Sequence, residues 1–265
     1  MKINWKNILT IVLDLGLAVY LGFAFTSFNK PDETAAVCNK MTINIADETT
    51  NGLITADEIK HRLNQSKIMP LKKQLSLVDT RKIEDVLKES PFVKSADCYK
   101  TINGKVVINI AQLTPIVRIK AANGEDYYID NKDCVMPNSN YTSDLIICTG
   151  QVNKAFATQF IAPLSAAIMS NDLWKNQIEQ IHVLPDKSIE IVPRVGDHVI
   201  CIGQLPQDND KNKQRKLINS FLEKKMDRLM KFYKYGLSKA GWNKYAYIDL
   251  QFDNQIICKK RSKIK

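Results

Sequence analysis

Residues 79–115, DTRKIEDVLKESPFVKSADCYKTINGKVVINIAQLTP, decide how the first half of the chain folds. Asp79 stands at an N-cap, and Ile83, Val86 and Leu87 then fall on one face of a helix. Ser90-Pro91 stops that helix, because proline lacks the N–H that the next turn needs and biases the preceding residue away from helical geometry. Beyond it the period changes. Val93–Lys100 and Lys105–Gln112 read as two strands around Asn103-Gly104, a dipeptide suited to the tight turns of antiparallel hairpins. Leu113-Thr114-Pro115 closes the unit.

Toward the N-terminus, Thr55-Ala56-Asp57-Glu58 is a capping box that opens an earlier helix carrying Ile59 and Leu63. Met41, Ile43 and Ile45 alternate with Thr42 and Asn44, the period of a strand. Residues 37–115 therefore read strand, helix, helix, strand, strand. The segment 29–36 is polar, contains proline and has no periodicity, as a linker would. Before it, Ile8–Phe28 holds a single ionisable group, Asp14. As a helix this run is about 31 Å long, matching a bilayer core of roughly 30 Å. It is longer than the apolar stretch of a signal peptide, and its small-residue cleavage sites near Gly22–Thr26 are poor. Residues 8–28 are thus expected to be an uncleaved transmembrane helix after a short tail, 1–7. Lys2 and Lys6 on one side, against Lys30 and Lys40 on the other, leave its orientation open. Asp14 within a bilayer costs about 2.5–3.5 kcal/mol, which either a partner helix or the apolar run itself must offset.

Toward the C-terminus, Ile116–Lys120, Asp126–Ile129 and Leu145–Thr149 read as short strands. Ala155–Ser170 carries Phe156, Phe160, Leu164 and Ile168 at helical spacing, with Pro163 expected to kink the helix or mark its start. Three strands follow, Ile178–Leu184, Ser188–Pro193 and His198–Gly203. Lys213–Tyr235 is a long helix, expected to turn Leu217, Phe221 and Leu229 inward and Arg215, Lys225 and Arg228 outward. Tyr247–Phe252 and Gln255–Lys260 form a last pair of strands around Asp253-Asn254. The fold class is α+β.

The 265 residues are 45% hydrophobic and 25% charged, which excludes wholesale disorder, and 10 Gly with 9 Pro exclude collagen-like or low-complexity architecture. Lys+Arg 38 against Asp+Glu 28 gives +10, and five of the positive charges (Lys259, Lys260, Arg261, Lys263, Lys265) sit in the basic tail 259–265. The body is therefore only modestly basic, as a solvated surface is. The basic helix face from Lys211 to Lys234 has its aromatics at one end and offers no stacking platform for nucleic acid. His61, His182 and His198 lie apart from one another and from any cysteine at metal-ligand spacing. No HExxH, GxSxG, P-loop or GxGxxG occurs. Asp197 and His198, adjacent in a strand, point to opposite faces. The six cysteines (Cys38, Cys98, Cys134, Cys148, Cys201, Cys258) form no CxxC; their even number allows disulfides, while their apolar strand contexts suit buried thiols. No catalytic residue, cofactor, metal, small-molecule substrate or nucleic acid is expected.

What remains is surface able to pair. Gln255–Lys260 (QIICKK) has no strand after it and is expected at a sheet edge, where unpaired N–H and C=O groups can accept a strand from another chain. The alternative is an edge merely blunted by Lys259, Lys260 and Arg261.

This order of elements resembles the bacterial FtsQ/DivIB cell-division family, most of all its Bacteroidota branch. The residues that carry the likeness are Ile83-Glu84 through Val93, Asn103–Ile108 leading to Gln112–Arg118, Tyr127–Asp130 with Met136-Pro137, Pro193–His198, the Leu217–Leu237 helix, and Gly241–Tyr245 before Ile248–Cys258. The resemblance implies a POTRA domain over 37–115 and the family's β domain over 116–258, mostly antiparallel with flanking helices. It also implies a single-pass inner-membrane protein at the septum, with the N-terminus cytoplasmic and the bulk periplasmic. The function it implies is a non-enzymatic scaffold that holds an FtsB–FtsL pair, in contact with the septal synthesis proteins FtsW and FtsI. By position, the partner strand would meet Phe252, Asn254, Gln255, Ile256, Ile257, Cys258 and Lys259. Gln251 stands where the family commonly has arginine, and Ile256-Ile257-Cys258 with the lysines replace small residues and a tryptophan. Arg118 and Arg194 also match family positions and read as structural. A POTRA module for outer-membrane protein transport and a membrane-anchored wall hydrolase are the competing readings.

Overall fold

The computed structural model describes residues 5–27, 36–46, 52–101, 103–139 and 144–261. Residues 1–4, 29–35 of the expected linker and 262–265 of the basic tail lie outside them. Helix α1 (Trp5–Ser27) is continuous, and its ten large apolar side chains from Ile11 to Phe25 are 57–79% exposed. Among the described residues, no helix is long and apolar enough to cross a membrane. The chain divides into two compact units that part between Gln112 and Leu113.

The first unit follows the expected order: β1 (Lys40–Ala46), α2 (Ala56–Gln65), α3 (Thr80–Lys88), β2 (Val93–Lys100) and β3 (Lys105–Gln112). Both helix starts are capped as the sequence requires. Glu58 N–H donates to Thr55 Oγ1 at 3.2 Å and Lys82 N–H to Asp79 Oδ1 at 3.1 Å, each satisfying a first-turn donor that the helix cannot. The sheet runs β1-β3-β2, with β1 parallel and β2 antiparallel to β3. Val106, Ile108 and Ile110 of β3 are buried, as are Ile59 and Leu63 of α2 and Ile83 and Leu87 of α3. Gly104 (φ 72°) makes the hairpin turn, a geometry that glycine reaches without strain.

Among the described residues the second unit holds nine strands: β4 (Pro115–Ala121), β5 (Asp126–Asp130), β6 (Val135–Pro137), β7 (Ile146–Gly150), β8 (Ile178–Val183), β9 (Ser188–Pro193), β10 (Val199–Gln204), β11 (Tyr245–Asp249) and β12 (Ile257–Lys260). Between them lie α4 (Lys154–Phe156), α5 (Ala162–Met169), α6 (Asp172–Gln177), α7 (Lys211–Phe232) and α8 (Ser238–Ala240). The sheet order is β12-β11-β10-β9-β8-β7-β4-β5-β6. Its pairings are more often antiparallel than parallel; β4–β7, β7–β8 and β10–β11 are the parallel ones.

Register explains which face each strand buries, because directly paired residues project to the same side. Tyr127, Ile119, Cys148, Ile181, Ile191, Ile200, Ile248 and Cys258 form one row across eight strands. All but Cys258 are buried, in one core with Leu164 and Ile168 of α5 and Ile218, Leu222, Met226 and Leu229 of α7. The alternate row, Asp126, Lys120, Thr149, His182, Glu190, Cys201, Asp249 and Ile257, lies on the other face and is mainly polar. There Thr149 Oγ1 meets His182 Nδ1 at 2.8 Å, and Tyr247 donates its hydroxyl to Glu190 at 2.9 Å.

Three sequence readings change. Leu217 is 41% exposed and Phe221 half-buried, whereas Lys225, expected in solvent, is buried. The inward stripe of α7 is Ile218, Leu222, Lys225, Met226 and Leu229, one position on from the expected face, and it can include a lysine because main-chain carbonyls receive the ammonium. Pro163 marks a helix start, one of its two expected roles, standing in the first turn of α5. Residues Ala157–Ile161 widen into a π turn just before it, which accommodates a ring with no N–H to donate to the preceding turn. Two short elements, β6 and α6, carry too few residues to show a period. Finally, the last two strands are shorter than expected. Leu250 is buried and its N–H donates to Cys201 O at 2.8 Å, so the chain there still follows β10, and residues 250–256 form a loop with Asn254 at φ 64°.

Candidate edge-strand interface

The terminal strand β12 is the outermost of the nine, paired on one side to β11 through Asp249↔Ile257, Ile248↔Cys258 and Tyr247↔Lys259. Arg261 N–H donates to Lys244 O at 3.1 Å. Since successive residues of a strand turn their main-chain groups to opposite sides, Lys259 and Ile257 also face β11, while Cys258 and Lys260 present N–H and C=O to the outer margin. No strand among the described residues pairs with that margin.

The expected contact residues divide between the loop and the strand. Phe252 (46% exposed), Asn254 and Gln255 stand exposed in the loop, and Ile256 packs half-buried against the core. Ile257 (49% exposed) opens the strand on the polar face of the sheet, with Lys259 on the same face. Cys258 turns to the helix-covered face, and burial raises its thiol pKa.

The loop is moored by two cations of α7 that sequence reasoning had assigned to solvent. Lys225 Nζ donates to Leu250 O at 2.7 Å and Gln251 O at 2.8 Å, and lies 3.7 Å from the Asp253 carboxylate. Arg228 donates to Leu250 O at 3.4 Å and to Gln255 O. Burial pulls the Lys225 pKa below its ordinary value, opposed by the charge of Asp253. The available signal was spacing: Ile218, Leu222, Lys225 and Leu229 form an i, i+4, i+7, i+11 stripe, and a lysine on such a stripe needs buried acceptors. At the far end of β12, Arg261 pairs with Asp197 through both its carboxylate and its main-chain oxygen.

The margins at β2 and β6 are less free. In β2, Cys98 N–H already donates to Glu84 Oε1 of α3 at 2.8 Å. β6 is only three residues long and ends in proline, which has no N–H to offer. Arg118 forms a two-pronged pair with Asp126 at 2.9 and 2.7 Å, and Arg194 an exposed one with Asp144 at 3.3 Å. His198 is buried with Nε2 2.8 Å from the Tyr233 hydroxyl, and is not joined to any nucleophile. Among the described residues, no group of three or more His, Cys, Asp or Glu side chains could hold a metal ion. All six cysteines are free thiols.

Comparison with known families gives two matches. Residues 36–111 match the POTRA-like domain, and residues 114–259 match the family described as FtsQ/DivIB, C-terminal related. No curated protein matches the chain. The second match alone spans more than half of the sequence, and it ends within β12. Carrying both parts in this order, the chain belongs to the FtsQ/DivIB family of non-catalytic, division-site membrane scaffolds.

Proposed function

We propose that this protein is a divisome scaffold that binds an FtsB–FtsL-like pair by adding a partner strand to β12, linking early division proteins to septal peptidoglycan synthesis. The observation that carries this reading is the outer margin of β12. Cys258 and Lys260 face outward with no strand of the described residues beside them, on a strand held at both ends by Lys225, Arg228 and Arg261. Holding the edge in place before binding lowers the ordering cost that strand addition must overcome. Ile257 and Lys259 on one face and Cys258 on the other offer the alternate contacts that give such additions specificity.

The same reading places residues 8–28 across the inner membrane, with 37–115 as the POTRA domain and 116–258 as the β domain in the periplasm. Its support is the apolar run Ile8–Phe28, counted over more residues than the described side chains cover, and the exposure of the large apolar side chains along α1. Protease protection of spheroplasts tests it: the β domain should be cut from the periplasmic side, and a protected β domain would remove the protein from this role.

Proline substitution tests the strand. Cys258→Pro removes an outward donor and leaves the pairing with β11 intact, whereas Lys259→Pro breaks that pairing. Leaving one acceptor of the partner unsatisfied costs about 1–3 kcal/mol, roughly 5- to 150-fold in affinity. Cys258→Pro should therefore abolish co-purification with the FtsB-like protein while the full chain in detergent keeps its circular dichroism. Undiminished co-purification would rule out strand addition at this edge. Ile256→Pro should act in the same way, and Ile257→Ala should be milder if main-chain bonds dominate.

A further inference from the structure

A groove follows one side of α7 within the second unit. Two depressions of about 520 and 500 Å³ share Leu173, Trp174 and Met230 and so form one channel. Along α7 the lining recurs at Asn219, Leu222, Met226 and Met230, every third or fourth residue, and continues through the π turn that follows, at Tyr233, to Ser238 of α8. That is about 28 Å, or five helical turns, at 1.5 Å per residue. The opposite wall is α6. Leu173 (44% exposed), Val195 (53%) and Trp242 (42%) are among the few large apolar side chains that this unit leaves open, and all three line the groove. Two of the chain's three tryptophans, Trp174 and Trp242, are there as well. Exposed apolar side chains gathered in one place mark a contact surface, and tryptophans carry much of the energy in such contacts.

The shape selects the kind of occupant. The long wall α7 and the short wall α6 are helices whose main-chain groups are bonded within them, so a strand finds nothing to pair with along either. Val195 and Trp242 complete the groove from loops. A lining that repeats every three to four residues leaves gaps that fit side chains at i, i+4 and i+7 of another helix, and the methionines adapt to their shape. The charges add polarity. Glu223 borders one end and has no ion-pair partner among the described residues, while neighbouring Asp227 is neutralised by Lys231 at 2.6 Å. Lys234 borders the other end.

We propose that this groove is a second protein interface, distinct from β12, which receives an amphipathic α-helix of another division protein. The helix is about five turns long, with a basic residue toward Glu223 and an acidic one toward Lys234. It does not depend on strand addition.

A photoreactive phenylalanine analogue at Leu173 or at Val195 tests this in cells making the full-length chain; both positions are exposed, so neither replacement disturbs the core. Both should crosslink to a single peptide of another protein, with apolar residues spaced three and four apart. Glu223→Lys should lower the yield at least fivefold, and reversing the basic residue of that peptide should restore it. The crosslink should survive Cys258→Pro, which separates this interface from the one at β12. No crosslink, a crosslink between two copies of this chain, a captured peptide without that spacing, indifference to Glu223→Lys, or loss of the crosslink in Cys258→Pro would each overturn the proposal.

Discussion

Lys225, midway along α7, donates its ammonium to the main-chain carbonyl of Leu250 at 2.7 Å from a side chain only 5% exposed. Leu250 directly follows β11, so this bond joins the helical layer to the point where the chain leaves the sheet before forming β12. A lysine that looks like surface charge in the sequence thus sets the position of the strand on which the proposed function rests.

Lys225→Met keeps an unbranched side chain, one atom shorter, and removes the donor. The buried Leu250 carbonyl and the partly buried Gln251 carbonyl then lose this partner, and a buried acceptor left unsatisfied costs about 1–3 kcal/mol. Denaturant unfolding of the full chain should show a loss of that size. Hydrogen exchange should quicken at Ile257 and Lys259, whose N–H groups face β11, while β3 of the first unit stays protected. Unchanged exchange in β12 would mean that the mooring does not hold the strand.

Gly150 ends β7 at φ 95°, and a Cβ there would stand 2.2 Å from the carbonyl oxygen of Val183. Gly124 has a similar φ of 89° with nothing within 4 Å. Gly150→Ala should therefore cost at least about 2 kcal/mol, and Gly124→Ala only the backbone strain of about 1 kcal/mol. Paired denaturant melts measure the difference, and equal losses would show that the β7–β8 contact relaxes freely.

Burial lowers the pKa of His198, helped by the nearby Arg261 guanidinium and opposed by Asp197. The folded state therefore keeps this ring neutral where the unfolded chain begins to bind a proton. The resulting stability is fully present above the ordinary histidine pKa of about 6.5, and is lost as pH falls below it toward the folded value. The melting temperature of the second unit should drop between pH 7.5 and 5.5, and the drop should be smaller in His198→Gln. An equal drop in that variant would assign the acid sensitivity elsewhere.

Thiol chemistry should follow access. Burial pushes Cys148 up to about 12, and burial with the Glu84 carboxylate does the same to Cys98. Cys134 is exposed and Cys258 half-buried. Maleimide at pH 7.5 should label Cys134 first and Cys258 more slowly, and reach the other four only after denaturation, as intact-mass spectrometry would show. If the partner occupies β12, its presence should slow labelling of Cys258 and leave Cys134 unaffected.

Much of the fold was legible because its signals are local. Thr55 and Asp79 cap the helices they announce, and Asn103-Gly104 turns the hairpin between β2 and β3. The alternation of Ile189 and Ile191 reports a strand buried on one face, and both are fully buried. The candidate site was only half legible. Gln255–Lys260 carries the last strand pattern, which anticipated its place at the margin, but the loop before it carries no such signal. Leu250 continues an apolar pattern that reads as strand and its N–H still bonds Cys201 O of β10, so only the pairing itself shows that contact with β12 ends at Asp249↔Ile257.

The sequence by itself determined the order of elements, the two-part organisation and the family, since caps, turn residues and periodicity act over a few neighbouring positions. Tertiary structure alone decided which face of α7 is buried, how the last loop is held and where a groove remains open. Those outcomes depend on partners far apart in the chain. Lys225 and Leu250 meet across 25 positions, and Asp197 and Arg261 across 64. A buried ammonium is tolerated only where folding brings carbonyl oxygens to it, and no local pattern records that meeting.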